Sequence, residues 1–253
     1  MLADLIAFPL ADALIVAAVF LLAGAVKGVI GMGLPTIALG LLTAVVGLDS
    51  AMALILAPAI VTNIWQGFVG THVREVLQRL WPFFVPATLT IWLGVALAQI
   101  WPAALPVALL GGVLIAYGVL GLAKPALHLP PRHEIWVAPL AGALNGIFSG
   151  LTATFVIPGL LYLQALNLDR DRMVRALGQL FVLSTAMLAL ALAVFGKLPP
   201  EASLASLLSV FPAIAGMVAG SWLRRRLSEP AFRRVFFTAL IGLGGYLLLP
   251  VLF

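Results

Sequence analysis

Lys27 is the one basic residue of the chain that stands inside an apolar run; the others fall between such runs or beside their ends. Around it the sequence reads Gly24-Ala-Val-Lys27-Gly28-Val-Ile-Gly31-Met32-Gly33-Leu-Pro35-Thr36, with four glycines and one proline in twelve positions. Continuous helix is not expected through Gly31 to Pro35. A half-helix beginning near Pro35 would aim its free amides and its positive dipole end at the break, where an anion is stabilised. Lys27, Gly31, Gly33 and Thr36 are therefore candidates for binding an anion. Two plainer readings stand beside this one. Glycines four apart admit close helix packing, and Lys27 is within reach of an edge ion pair with Asp12 or Asp49.

A second run, Gly142-Ala-Leu-Asn145-Gly146-Ile-Phe-Ser149-Gly150-Leu-Thr152-Ala-Thr154, repeats the first at an offset of 118 and leads to Pro158. Asn145 replaces the lysine, so a path built from both runs carries one fixed positive charge and favours anions. Ser149, Thr152 and Thr154 place hydroxyls where the second break is expected, beside Gly150. Hydroxyls donate to oxyanions without the cost of a buried charge, although they also satisfy carbonyls of their own helix. Asn63 and Gln66, three apart in Thr62-Asn63-Ile-Trp65-Gln66, share a helix face and can reach one ligand. Gln164 and Gln179 complete the candidate set. For these amides, ordinary interhelical hydrogen bonding is the competing explanation.

The elements that position these residues belong in a membrane. Of the 253 residues, 63% are hydrophobic and 9% charged, with a mean hydropathy of +1.18, so only lipid can solvate the exterior. The N-terminus carries Asp4 and Asp12 in place of a basic signal region, so the first apolar run is expected to be a retained span. Ten hydrophobic segments alternate with charged, Gly and Pro punctuation; the second and seventh are short of the roughly 20 residues a crossing takes, so each forms part of a broken or re-entrant hairpin. Alternate gaps collect Arg74, Arg79, Lys124, Arg132, Arg170, Arg172, Arg175, Arg224, Arg225, Arg226, Arg233 and Arg234, against Lys197 alone on the other face. The basic face is the cytoplasm, and both termini lie outside. Five segments per half then force the halves into opposite orientation: a first repeat over 1–124, a cytoplasmic connection over 125–134 and a second, inverted repeat over 135–253. The predicted class is an all-α polytopic protein of a bacterial-type inner membrane.

Other classes find no support. The excess of positive charge sits in short loops, which anionic lipid explains without nucleic acid. There are no cysteines, and His72, His128 and His133 have no zinc-type spacing, so neither metal nor cofactor is expected. No nucleophile or nucleotide motif suggests an enzyme. Arg172 and Arg175 lie near the cytoplasmic mouth, where lipid headgroups are favoured over anion capture. The expected partners are a small anion and the bilayer, and a homo-oligomer is compatible with the pattern.

The run Gly-x-x-Lys27-Gly-x-x-Gly-x-Gly-x-Pro35, the stretch Thr62-Asn63-x-x-Gln66, and the runs Pro158-x-x-x-Tyr162-Leu-Gln164-Ala165 and Ala176-Leu-Gly178 resemble the TauE/SafE sulfite exporter family. The resemblance covers most of the chain. It implies movement of sulfite, thiosulfate-like anions or small organosulfonates. This chain departs from it at the hairpin turns, where Gly31-Met-Gly33-Leu and Gly150-Leu-Thr152 replace a triple glycine. The function expected is a transporter of small sulfur-containing anions working by alternating access at a midplane site. A gated anion channel and a non-transporting membrane scaffold are the alternatives. With no carboxylate deep in any segment, a potential-driven exporter is more natural than a proton symporter.

Overall fold

The computed structural model describes residues 10–123, 125–224, 226 and 228–252; Asp4, Lys124 and Arg225 lie outside the described residues. Twelve helices follow in order: α1 (Leu10–Ile30), α2 (Leu34–Val46), α3 (Leu48–Leu54), α4 (Leu56–Phe68), α5 (Val73–Leu89), α6 (Ile91–Ile100), α7 (Ala104–Ala123), α8 (Pro131–Thr152), α9 (Gly159–Ala165), α10 (Arg170–Val194), α11 (Pro200–Leu223) and α12 (Glu229–Leu252). Among the described residues the protein is all-helical. Among the described residues, seven helices are long and apolar enough to cross a membrane, with α5 and α6 counted as one, and eight if α3 and α4 form one bent span. The protein is thus a polytopic helical membrane protein.

Lipid tails are as apolar as leucine, so packing geometry and hydrogen bonds, more than hydrophobicity, hold such helices together. Glycine supplies the geometry. α1 runs parallel to α11, and a Cβ on Gly24 or Gly28 would strike the carbonyl oxygens of Ala213 and Met217. α8 runs parallel to α5 and α6, and a Cβ on Gly142 or Gly146 would strike those of Phe83 and Ala87. α7 and α12 cross at Gly111 and Gly244, each of which abuts the other's carbonyl, and α4 meets α10 at Gly67 and Gly178.

Polar contacts sort the connections into two ends. At one end, the Leu129 N–H donates to the Ala165 carbonyl (2.9 Å), Arg172 pairs with Glu75 (2.8 Å), and Arg79 pairs with Glu134 (3.6 Å). At the other, Lys197 pairs with Asp49 (2.9 Å). The α8–α9 hairpin therefore leaves the basic end and returns to it. The α1–α2 hairpin does the same at the far end, because α1 parallels α11, which starts just past Lys197, and α2 stops just short of Asp49. The return arms, 13 residues in α2 and 7 in α9, are too short to cross.

Both expected breaks are present, and one is displaced. Between α1 and α2, Gly31 and Gly33 adopt φ of 88° and 100°, which a side chain would resist. In the second hairpin α8 runs on past Ser149 and Gly150, and the break covers 153–158. Helix continues there while the Ser149 and Thr152 hydroxyls turn back onto the carbonyls of Asn145 (2.6 Å) and Phe148 (2.7 Å), and Gly150 lets the backbone of α8 pack against Ile91 and Gly94. A further bend, 43° between α3 and α4, was not expected. Pro58 has no N–H for the Leu54 carbonyl. The buried Ser206 hydroxyl of α11 donates to that carbonyl (2.9 Å) and accepts from the Ala57 N–H (3.0 Å), closing the gap in the helical ladder.

Candidate functional site

A cavity of about 1540 Å³ opens between the helices at the basic end. Lys27, on the last turn of α1, lines it and is only 5% exposed. The Lys27 ammonium donates to Thr62 Oγ1 (3.1 Å) and to Asn63 Oδ1. Both acceptors are aimed by their own helix. The Thr62 hydroxyl donates to the Pro58 carbonyl (2.7 Å), which turns its lone pairs outward, and Asn63 Nδ2 donates to the Ala59 carbonyl (2.8 Å), which fixes the amide. The partners are neutral, and an ammonium has three donors. As an ammonium, Lys27 thus has one donor left for whatever fills the cavity.

The expected partners Asp12 and Asp49 are not used. Asp12 lies four turns away on the same helix, about 22 Å at the helical rise, and Asp49 is held by Lys197 at the far end.

Toward the mouth the lining gains Arg170, Arg175, Arg224 and Arg233. With Lys27 that makes five basic side chains, and no aspartate or glutamate lines the cavity among the described residues. Arg175 donates to the carbonyls of Trp65 (3.3 Å) and Gln66 (2.7 Å) at the end of α4, and Arg233 to the Gly121 carbonyl at the end of α7. These contacts satisfy C-terminal carbonyls, where cations are favoured. Arg172 lies outside the lining, in an ion-paired cluster with Glu75 and Asp169. There the Arg172 backbone N–H, and then its guanidinium, hold the Asp169 carboxyl below the usual carboxylate range.

The cavity brings together Lys27, Gly31, Gln66 and Gln164 in its lining, with Asn63 directly behind Lys27. The remaining candidates lie elsewhere. Gly33 and Thr36 begin α2 against buried neighbours, Gly33 beneath Phe236. Asn145 Oδ1 accepts the Gly159 N–H (2.9 Å), capping the start of α9. The Ser149 hydroxyl also donates to the Thr154 carbonyl (3.0 Å), and those of Thr152 and Thr154 bond each other (2.6 Å), across the break. Gln179 Nε2 donates to the carbonyls of Gly67 (3.3 Å) and Val73 (2.8 Å), tying α10 to the α4–α5 turn. These residues build the frame. Sequence reasoning passed over Thr62 as a partner for Lys27 and over Arg170, Arg224 and Arg233, and it set Arg175 near the mouth but favoured lipid headgroups for it, because the positive-inside pattern accounts for all these arginines alike and does not say which ones turn inward.

Fold and site together define a multispan helical membrane protein with a deep, cation-lined cavity. Residues 16–247, nearly the whole chain, match the family model described as sulfite exporter TauE/SafE, and the chain belongs to that family of membrane transporters. No curated protein and no solved structure matches it.

Proposed function

We propose that the protein carries small sulfur-containing anions, sulfite or an organosulfonate, across a bacterial-type inner membrane by alternating access. The observation that carries this reading is the cavity: five cations, no carboxylate among its described lining, and at its depth an ammonium held by neutral partners. Such a path attracts anions along its length and rejects cations. Lys27, Asn63, Gln66 and Gln164 form the site, with the amides of the α1–α2 break beside them. The cation-lined end faces the cytoplasm, so this conformation is open inward.

Alternating access rests on two inverted repeats, 1–124 and 135–253, joined through 125–134. Their packing supports this. Gly24 and Gly28 meet the carbonyls of Ala213 and Met217, and Gly142 and Gly146 meet those of Phe83 and Ala87; the glycines are related by an offset of 118 and the carbonyls by 130. Gly111 and Gly244 open the matched runs Leu110-Gly-Gly and Leu243-Gly-Gly and touch each other reciprocally, as residues on a two-fold axis do. An inside-negative potential favours export by about 2.3 kcal/mol per charge per 100 mV.

The test is a thermal-shift screen of the purified protein against sulfite, thiosulfate, sulfate and small sulfonates, repeated on Lys27→Ala. Stabilisation by at least one of these anions, lost in Lys27→Ala, is expected. Silence across the panel, or equal shifts in the variant, contradicts the proposal.

A further inference from the structure

At the end opposite the cavity, a cleft of about 310 Å³ lies between Asp49, Ser50, Ala53 and Leu54 on α3 and Gly196 and Lys197 in the α10–α11 connection. We infer that this cleft is the closed outer mouth of the anion path and that α3 is the plug that closes it. The inference rests on the inverted-repeat reading above.

Matching Asp49 to Asp169 sets a register in which Ser50, Ala53 and Leu54 correspond to Arg170, Met173 and Val174. All three of those residues line the open cavity. The outer cleft is thus walled by the counterparts of the inner mouth, and the two differ in burial. Ala53 is 1% exposed where Met173 is half-buried, and Leu54 is 0% exposed where Val174 is 36% exposed. One surface is sealed and its equivalent open, as a two-state path requires.

The chain supplies a joint for the plug. α10 is one continuous helix of 25 residues, whereas its counterpart is divided at Ile55 into α3 and α4. The division falls where Pro58 has removed a helical hydrogen bond and Ser206 has replaced it from a neighbouring helix. α3 is fastened at its outer tip by the Asp49–Lys197 pair, which is exposed to water. An exposed pair holds weakly. That suits a contact that must break in each cycle. The Glu75–Arg172 pair at the inner end is intact beside an open mouth, so closure comes from the seating of α3 itself and the ion pair only biases it.

The outer mouth also differs in charge. Arg170 marks the inner mouth at the position Ser50 occupies outside, beside an aspartate that both copies share, Asp169 and Asp49. Anions are gathered inside and meet a mouth of no net charge outside, where Asp49 and Lys197 offset each other.

The chain has no cysteine, so a single introduced thiol reports its own access. Ala53→Cys is placed in the full chain in right-side-out proteoliposomes and exposed to a membrane-impermeant cationic methanethiosulfonate added outside. Val174→Cys serves as the inner-mouth control. Ala53→Cys is expected to react slowly from outside. Adding Asp49→Asn or Lys197→Gln should speed it by roughly two- to fivefold, the range an exposed ion pair commands, and the charge-reversed pair Asp49→Lys with Lys197→Asp should slow it again. Val174→Cys is expected to react only from inside. If Ala53→Cys stays unreactive from outside in every background while the same protein exchanges radiolabelled sulfite, the inference is overturned and the transport reading stands. If the thiol reacts as expected but no variant moves anions, the outer mouth is supported and the transport reading falls.

Discussion

Replacing Lys27 with methionine keeps most of the unbranched side chain, one atom shorter, and removes its charge. An anion about 4 Å from the ammonium is attracted by about 1 kcal/mol in bulk water and about 4 kcal/mol at the effective dielectric of a protein surface. The cavity is wide and open to solvent at one end while Lys27 itself is nearly buried, so the figure lies between, at about 2.5 kcal/mol or roughly 70-fold. Lys27→Met should therefore lower kcat/KM for radiolabelled sulfite counterflow in proteoliposomes by that factor, and Lys27→Arg by far less. Stability changes too, because Asn63 Oδ1, at 0% exposure, loses its donor. A buried acceptor left alone costs about 1–3 kcal/mol. The double variant Lys27→Met with Asn63→Leu removes both partners and should regain most of the thermal midpoint while remaining inactive. Counterflow by Lys27→Met at the wild-type rate and KM would refute the argument, and so would recovery of transport in the double variant.

Arg170→Gln and Arg224→Gln remove exposed charges at the mouth; each should raise KM a few-fold at low salt, leave kcat alone, and lose its effect near 1 M salt, where screening reaches about 3 Å. Ser206→Ala strands the Leu54 carbonyl and the Ala57 N–H; at the roughly 0.6 to 1.7 kcal/mol measured for hydrogen bonds in membranes, it should lower the midpoint of thermal unfolding in detergent. Thr152→Val removes a hydroxyl that bonds only protein atoms, so it should reduce stability and leave KM for the anion unchanged. Gly28→Leu drives a side chain into the Met217 carbonyl and should destabilise by at least the roughly 1–3 kcal/mol typical of overpacking, with loss of folded protein on size exclusion.

Much of the architecture was legible from residue type. Pro35, with Gly31 and Gly33, announces the first break, and α2 begins at Leu34. The shortness of segments two and seven follows from counting apolar residues. The site was less legible. Lys27 stands out because its charge is alone in an apolar run, and Asn63 and Gln66 because amides are rare there. Asn145, Ser149 and Thr152 look equivalent by alignment, yet their polar atoms serve the α8–α9 break. Alignment carries position but not partner, and the partners come from the six-residue stretch after α8 and from Gly159 at the start of α9. The mouth arginines were hidden for the opposite reason. One rule explains all arginines of the basic end alike, and only the packing of α10, α11 and α12 selects the four that line the cavity.

The central claim is that one anion at a time is bound at the Lys27 site and passed between two mouths. Exchange of radiolabelled sulfite by the purified protein in liposomes tests it most directly. The account predicts saturable uptake that accelerates when unlabelled sulfite is loaded on the opposite side and that depends on Lys27. Flux that rises linearly with concentration, carries steady current and ignores the opposite side would contradict it and identify a channel.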